Sequence, residues 1–168
     1  MESRATRLNS RRNTMIDIQI EEAYLPEVDE ITIRAAARAT LTQQGTAPSA
    51  ELTILVSDDA EIQALNLSFM GIDAPTDVLS FPSGETQLDP TGAAFPEVYL
   101  GDIIISCPQA AAQAAAGGHP LSRELELLTV HGVLHLLGHD HATADEKERM
   151  WAAQAQILAM LGNPLAPA

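Results

Sequence analysis

The stretch VHGVLHLLGHDH, residues 130–141, holds four of the chain's five histidines. His131 and His135 stand four apart, so on a helix their imidazoles project side by side from one face. Gly138 can end that helix in a left-handed turn at little steric cost. Such a turn reverses the chain within three residues and returns His141 toward the same point. Three imidazoles then take three corners of a tetrahedron and leave the fourth for water, the arrangement of catalytic rather than structural zinc sites. Apolar Val133, Leu134, Leu136 and Leu137 bury the rest of the helix and hold the ligands rigid. The predicted ligands of one zinc ion are therefore His131, His135 and His141, although neutral imidazoles also suit nickel, copper or iron. His139 is expected to point away from them. Asp140 either accepts the second N–H of a ligand imidazole or stabilises the turn.

Working outward, MIDIQIEE (15–22) alternates apolar and polar residues as a half-buried strand does. Residues 27–43 read as a helix ending near Gly45, and ELTILVS (51–57) as a second strand. Ser57 or Asp58 can cap the next helix, DAEIQALNLSFM, whose Ile62, Leu65 and Phe69 share a face, with Gly71 closing it. TDVLSFP (76–82) is a short strand stopped by Pro82, and residues 83–97 a long loop. YLGDIIIS (99–106) is the most hydrophobic strand and is placed centrally. A helix over 108–116 tolerates Pro108 in its first turn. The metal helix follows from about 122 to 137, and a last helix covers about 144–161. These elements predict one α+β domain with a small mixed sheet of about four strands. Its expected span is 15–162, with residues 163–168 as a tail.

The chain's 168 residues suit one domain, and a 46% hydrophobic content supplies a real core. No apolar run is long enough to cross a membrane, and the N-terminus lacks the apolar segment of a secretory signal. Cys107 is the only cysteine, so no intrachain disulfide or disulfide-linked partner is expected, which fits a reducing cytoplasm. It reads as a small buried side chain at a strand end. Net charge is −14, but Arg4, Arg7, Arg11 and Arg12 against Glu2 make the first 14 residues +3 and leave −17 for the rest. An acidic body argues against nonspecific nucleic-acid binding through phosphate neutralisation. It leaves room for RNA held by a local patch and a metal. Residues 1–14 read as a disordered basic extension, as an upstream start before Met15, or as an RNA-contacting arm.

The histidine spacing resembles the HExxHxxGxxH pattern of metzincin peptidases, and the expected fold is in that sense zincin-like. Where those enzymes carry a general-base glutamate, this chain has Gly132, which cannot activate a water. The segment also resembles the signature of the YbeY family, bacterial rRNA maturation factors described as zinc-dependent endoribonucleases. That resemblance is carried by His131, Gly132, Leu134, His135, Gly138, Asp140 and His141. PTDVLSFP (75–82), LGDIIIS (100–106) and GHPLSRELELLTVHG (118–132) add to it, the last including His119, Arg123, Glu124 and Leu125. It implies a cytoplasmic enzyme acting on single-stranded rRNA in 16S rRNA 3′-end maturation and ribosome quality control, in association with the ribosome or small-subunit proteins. One departure is Met70, in LNLSFMGIDAPTD (65–77), where many members carry an arginine suited to a phosphate contact.

The chemistry expected is metal-assisted phosphodiester cleavage. Asp140, as orienter or base, and Arg123, as phosphate ligand, are the candidate catalytic residues. Arg123 can instead pair with Glu126 or Glu146. Asp77, Ser80 and Asp102 are expected to line the cleft, although Asp77 or Asp102 can instead satisfy turn or strand-end backbone donors. Two rival readings are a zinc hydrolase of peptides and a non-catalytic assembly or docking factor braced by the metal.

Overall fold

The computed structural model describes residues 16–46, 49–83 and 98–165. The basic extension, most of the expected Gly- and Pro-rich loop and the end of the tail lie outside them. Strand β1 (Ile16–Ile20) turns Ile16 and Ile18 into the core. A 3-10 turn (Glu22–Tyr24) follows, so the first helix, α1 (Glu30–Gln43), starts three residues later than the sequence predicts. The start is fixed by Asp29, whose side chain accepts from the Ile31 N–H at 2.9 Å. Val28 just before this cap and Ile33 one turn in share one core cluster, which sets the angle of entry.

Strand β2 (Ala50–Ser57) leads to α2 (Asp59–Met70), capped by Asp58 rather than Ser57. Ser57 is buried instead, with its hydroxyl 2.8 Å from Glu21 and 2.5 Å from Glu61. The expected apolar face of α2 holds only in part. Ile62 is buried, but Phe69 is 67% exposed and meets Phe81 with ring centroids 5.1 Å apart. Strands β3 (Val78–Pro82) and β4 (Val98–Ser106) complete a four-stranded sheet of order β1-β2-β4-β3. The first three run parallel and β3 pairs antiparallel at the edge, where Pro82 can lack an N–H without breaking an interior ladder. The sheet is mixed and β4 is interior, as its Ile103, Ile104 and Ile105 predict.

Helix α3 (Cys107–Gly117) is capped by Ser106, and burial at its first residue pushes the Cys107 thiol pKa up. Helix α4 (Leu121–Leu136) is the hub, packing against α1, α3, α5 (Ala144–Met160), β3 and β4. Leu125, Leu128 and Leu136 join the cluster on the sheet. Val130 and Leu134 join a second cluster with Ala36 of α1 and Met150, Ile157 and Leu158 of α5. A third stripe of α4, between these two apolar faces, carries His131 and His135. Among the described residues no helix is long and apolar enough to cross a membrane.

Candidate metal centre and the cleft beside it

The i, i+4 spacing on α4 sets the imidazoles of His131 and His135 edge to face, with centroids 4.6 Å apart. The helix then ends in a Schellman turn. Gly138 adopts φ 95°, its N–H donates to His135 O at 3.0 Å, and the His139 N–H donates to Leu134 O at 3.0 Å. A side chain at 138 would strain that backbone. The reversal returns His141 to within 5.7 Å of the His131 ring and 5.2 Å of the His135 ring. One nitrogen from each of the three lies within 4.8 Å of the others.

The outer nitrogens of the α4 pair are both engaged. His135 Nδ1 lies 2.9 Å from the carbonyl of His139, which only accepts, so this nitrogen carries the proton. His131 Nδ1 lies 3.1 Å from Gln154 Oε1. Each Nε2 is thereby left as a bare lone pair, and the two face each other at 3.1 Å. Two lone pairs at that distance repel unless a cation lies between them. Ligand nitrogens about 2.05 Å from a tetrahedral zinc stand roughly 3.3 Å apart, close to the observed spacing. The donor set therefore fits a divalent metal that takes imidazole. Burial first, and then the neighbouring histidines, lower the pKa of both His131 and His135. Both are thus held in the neutral form that metal binding requires.

Gly132, between His131 and His135 on α4, points at the sheet. A Cβ there would lie 2.9 Å from Cγ2 of Ile103. The position that holds the base in metzincins is thus turned into the core in this chain. Ser80 on β3 donates to the Gly132 carbonyl at 3.1 Å and ties the edge strand to α4 beside His131. Asp77 lines the cleft and also serves the backbone, accepting from the Val78 N–H at 2.8 Å. Asp102 lies on the other face of β4 from Ile103, as strand alternation requires, and binds the Tyr99 hydroxyl. Burial and that contact push the Tyr99 pKa up to about 12.

The ring of His139 turns away from the other histidines to Gln44 Oε1, at 2.7 Å. Asp140 Oδ1 accepts from the His141 N–H at 2.7 Å, across the turn. Arg123 reaches Glu126 at 3.3 Å and the Leu161 carbonyl at 3.3 Å, so its guanidinium is held by the helix rather than turned to the histidines. Met70 is 61% exposed at the end of α2. Beyond the expected tail boundary, Asn163 is buried and bonds to the Arg123 carbonyl at 3.0 Å.

Sequence reasoning missed the contribution of α5. Trp151 stands edge-on to His141 and His131, at 5.5 and 6.0 Å between centroids. Lys147 Nζ lies 5.6 Å over the same indole. Lys147, Trp151 and Gln154 share one helical face, and their spacing was the available signal. Beside the histidines opens a cleft of about 460 Å³ lined by residues that include Asp77, Gln113, His119, Glu124, His131 and Trp151. Within it His119 Nε2 lies 2.6 Å from Oε2 of Glu124.

A family model described as Endoribonuclease YbeY matches residues 15–162. Proteins named Endoribonuclease YbeY from Roseiflexus sp. and Bacillus licheniformis are 46% and 42% identical to the chain. Each match covers 88% of this chain, and 92% and 95% of the relative respectively. One from Mycolicibacterium smegmatis is 44% identical over 85% of this chain and 80% of its own. The solution structure of a Thermotoga maritima protein shares the fold, with TM-score 0.53 and 23% identity over 89% of this chain and 93% of that one.

Proposed function

Because the chain belongs to the endoribonuclease YbeY family, we propose that it is a metal-dependent endoribonuclease cutting single-stranded RNA, with His131, His135 and His141 holding one zinc ion. The observation that carries the reading is the facing pair of Nε2 lone pairs 3.1 Å apart. When bound, the metal would supply Lewis-acid polarisation of the scissile phosphate and activation of the attacking oxygen. Gln154 and the His139 carbonyl fix the two ligand tautomers, a role whose loss commonly weakens metal sites. Trp151 shields the imidazoles from water on the α5 side. Asp140 spends Oδ1 on the turn and keeps Oδ2 for a proton or an attacking group. Arg123 must leave Glu126 and Leu161 to contact phosphate, so Lys147, above Trp151, is the better placed cation.

The substrate we assign is the 3′ end of 16S rRNA, processed in the cytoplasm in contact with the ribosome or small-subunit proteins, for whose basic surfaces the acidic body is suited. Gly132, turned to Ile103, speaks against peptide hydrolysis by a glutamate base. The test incubates zinc-loaded protein and His135→Ala with single-stranded rRNA, with and without chelator. Cleavage by the wild type alone, abolished by chelator, is the expected result. Equal cleavage by both proteins, or none by either, would defeat the reading.

One observation favours the docking alternative: Leu67, Phe69, Met70 and Ile72 are all about half exposed or more near the end of α2, and grouped exposed apolar residues mark interaction sites. A docking factor would keep its ribosomal binding after His135→Ala.

A further inference from the structure

The cleft beside the histidines combines features that the metal does not explain. Among the described residues its lining includes the carboxylates of Asp77 and Glu124 but neither lysine nor arginine. Such a wall repels a phosphate and accepts a neutral group. Asp77 is already engaged, by the Val78 N–H on one oxygen and by Gln113 Nε2, at 3.2 Å, on the other. Glu124 is not. The residue is only 5% exposed, its Oε2 is held by His119, and its Oε1 has no partner among the described residues.

Gln154, 2% exposed, repeats the pattern, with its carbonyl on His131 and its amide N–H groups unmatched among the described residues. Neither atom is sealed in, because the one fully enclosed side-chain polar atom without a partner among those residues is Thr129 Oγ1. Both residues line the cleft, so an acceptor and a donor open into one space. Trp151, Leu127, Leu128 and Val78 supply apolar walls.

We propose that this cleft is a nucleobase subsite, in which Glu124 Oε1 and the Gln154 amide select a base whose Watson–Crick edge sets an exocyclic amino group beside an unprotonated ring nitrogen, cytosine or adenine. A carboxylate only accepts, so it needs an N–H opposite it. Cytosine offers N4–H to Glu124 and a ring nitrogen to Gln154, and adenine offers N6–H and N1 in the same way. Uracil in the same register sets its O4 lone pairs against the carboxylate and its N3–H against the Gln154 amide, and it pairs only by sliding along its edge until N3–H meets Glu124. The base lies flat against the indole of Trp151, as bases stack on aromatic side chains in single-strand sites. Its phosphate stays outside the acidic wall, toward the histidines and Lys147. This subsite rests on the ribonuclease reading, since it deepens the substrate of that same site.

The test is independent of cleavage. Trp151 is the chain's only tryptophan, so its fluorescence reports occupancy of the cleft. The zinc-loaded full chain is titrated with cytidine and with uridine. Cytidine should bind about 10-fold more tightly, within the range of one well-made edge contact. In Glu124→Gln, whose amide can donate or accept, the ratio should fall to near one. Inorganic phosphate should not displace cytidine. Equal affinities for the two nucleosides in the wild type, no saturable change with either, or displacement by phosphate would overturn the subsite. RNA cleavage that proceeds normally beside such a result would leave the ribonuclease reading standing.

Discussion

Gly132→Ala tests whether α4 is seated on the sheet by the absence of a side chain. An added Cβ would lie 2.9, 3.2 and 3.4 Å from Cγ2, Cδ1 and Cγ1 of Ile103. Ordinary carbon contacts sit at about 3.5–4.0 Å. Cγ2 branches directly from the Cβ of a fully buried residue, so it cannot swing aside. Either Ile103 leaves its rotamer or α4 lifts from β4, a type of overpacking that costs about 1–3 kcal/mol. Replacing a helical glycine by alanine returns about 1 kcal/mol. The net expectation is a loss of about 1 kcal/mol, or a Tm lower by about 2–4 °C, read by urea and thermal unfolding of the metal-free chain. In an Ile103→Ala background the clash is gone, and the same substitution should stabilise by about 1 kcal/mol. The coupling between the two sites is then about 2 kcal/mol. A Gly132→Ala protein more stable than the wild type by the full helix-propensity gain would refute the close seating of α4. It would also remove the reason given for a base at 132 being turned away from the metal.

Gln154→Leu removes the acceptor on His131 Nδ1 at nearly constant volume. Zinc affinity should fall about 10–100-fold while the circular dichroism spectrum is kept, and unchanged affinity in a competition titration would contradict the assigned tautomer. For pH the signs run together. His131 and His135 have lowered pKa values, so the metal-free fold keeps their contribution above about pH 6.5 and loses it as pH falls through the depressed values. There the unfolded chain binds more protons. Zinc occupancy should likewise be complete near neutral pH and fall as protons compete. Full occupancy retained at about pH 5 in equilibrium dialysis would exclude a three-histidine site.

What the sequence determined by itself is local and periodic. The i, i+4 histidines, the glycine that ends their helix and the alternation of Ile16 and Ile18 follow from backbone repeat lengths, and the structure reproduces all three. The core strand at 99–106 was legible for the same reason, since a run of isoleucines has nowhere to go but inside. Three further features depend on which elements meet, and no periodicity encodes that. Phe69 has the spacing of a buried residue and is exposed, because its ring meets Phe81 at the edge of the sheet rather than the core. Gln154 became the partner of His131 only when α5 crossed α4. Gly132 looked like a missing catalytic group in the sequence. Packing shows it as the contact that lets a helix approach a strand, because its bare Cα faces Ile103. Spacing along one helix and the glycine turn that ends it brought the three candidate ligands together, whereas the shape of the cleft beside them was decided by tertiary packing of α4, whose apolar stripes had to be buried against partners distant in sequence.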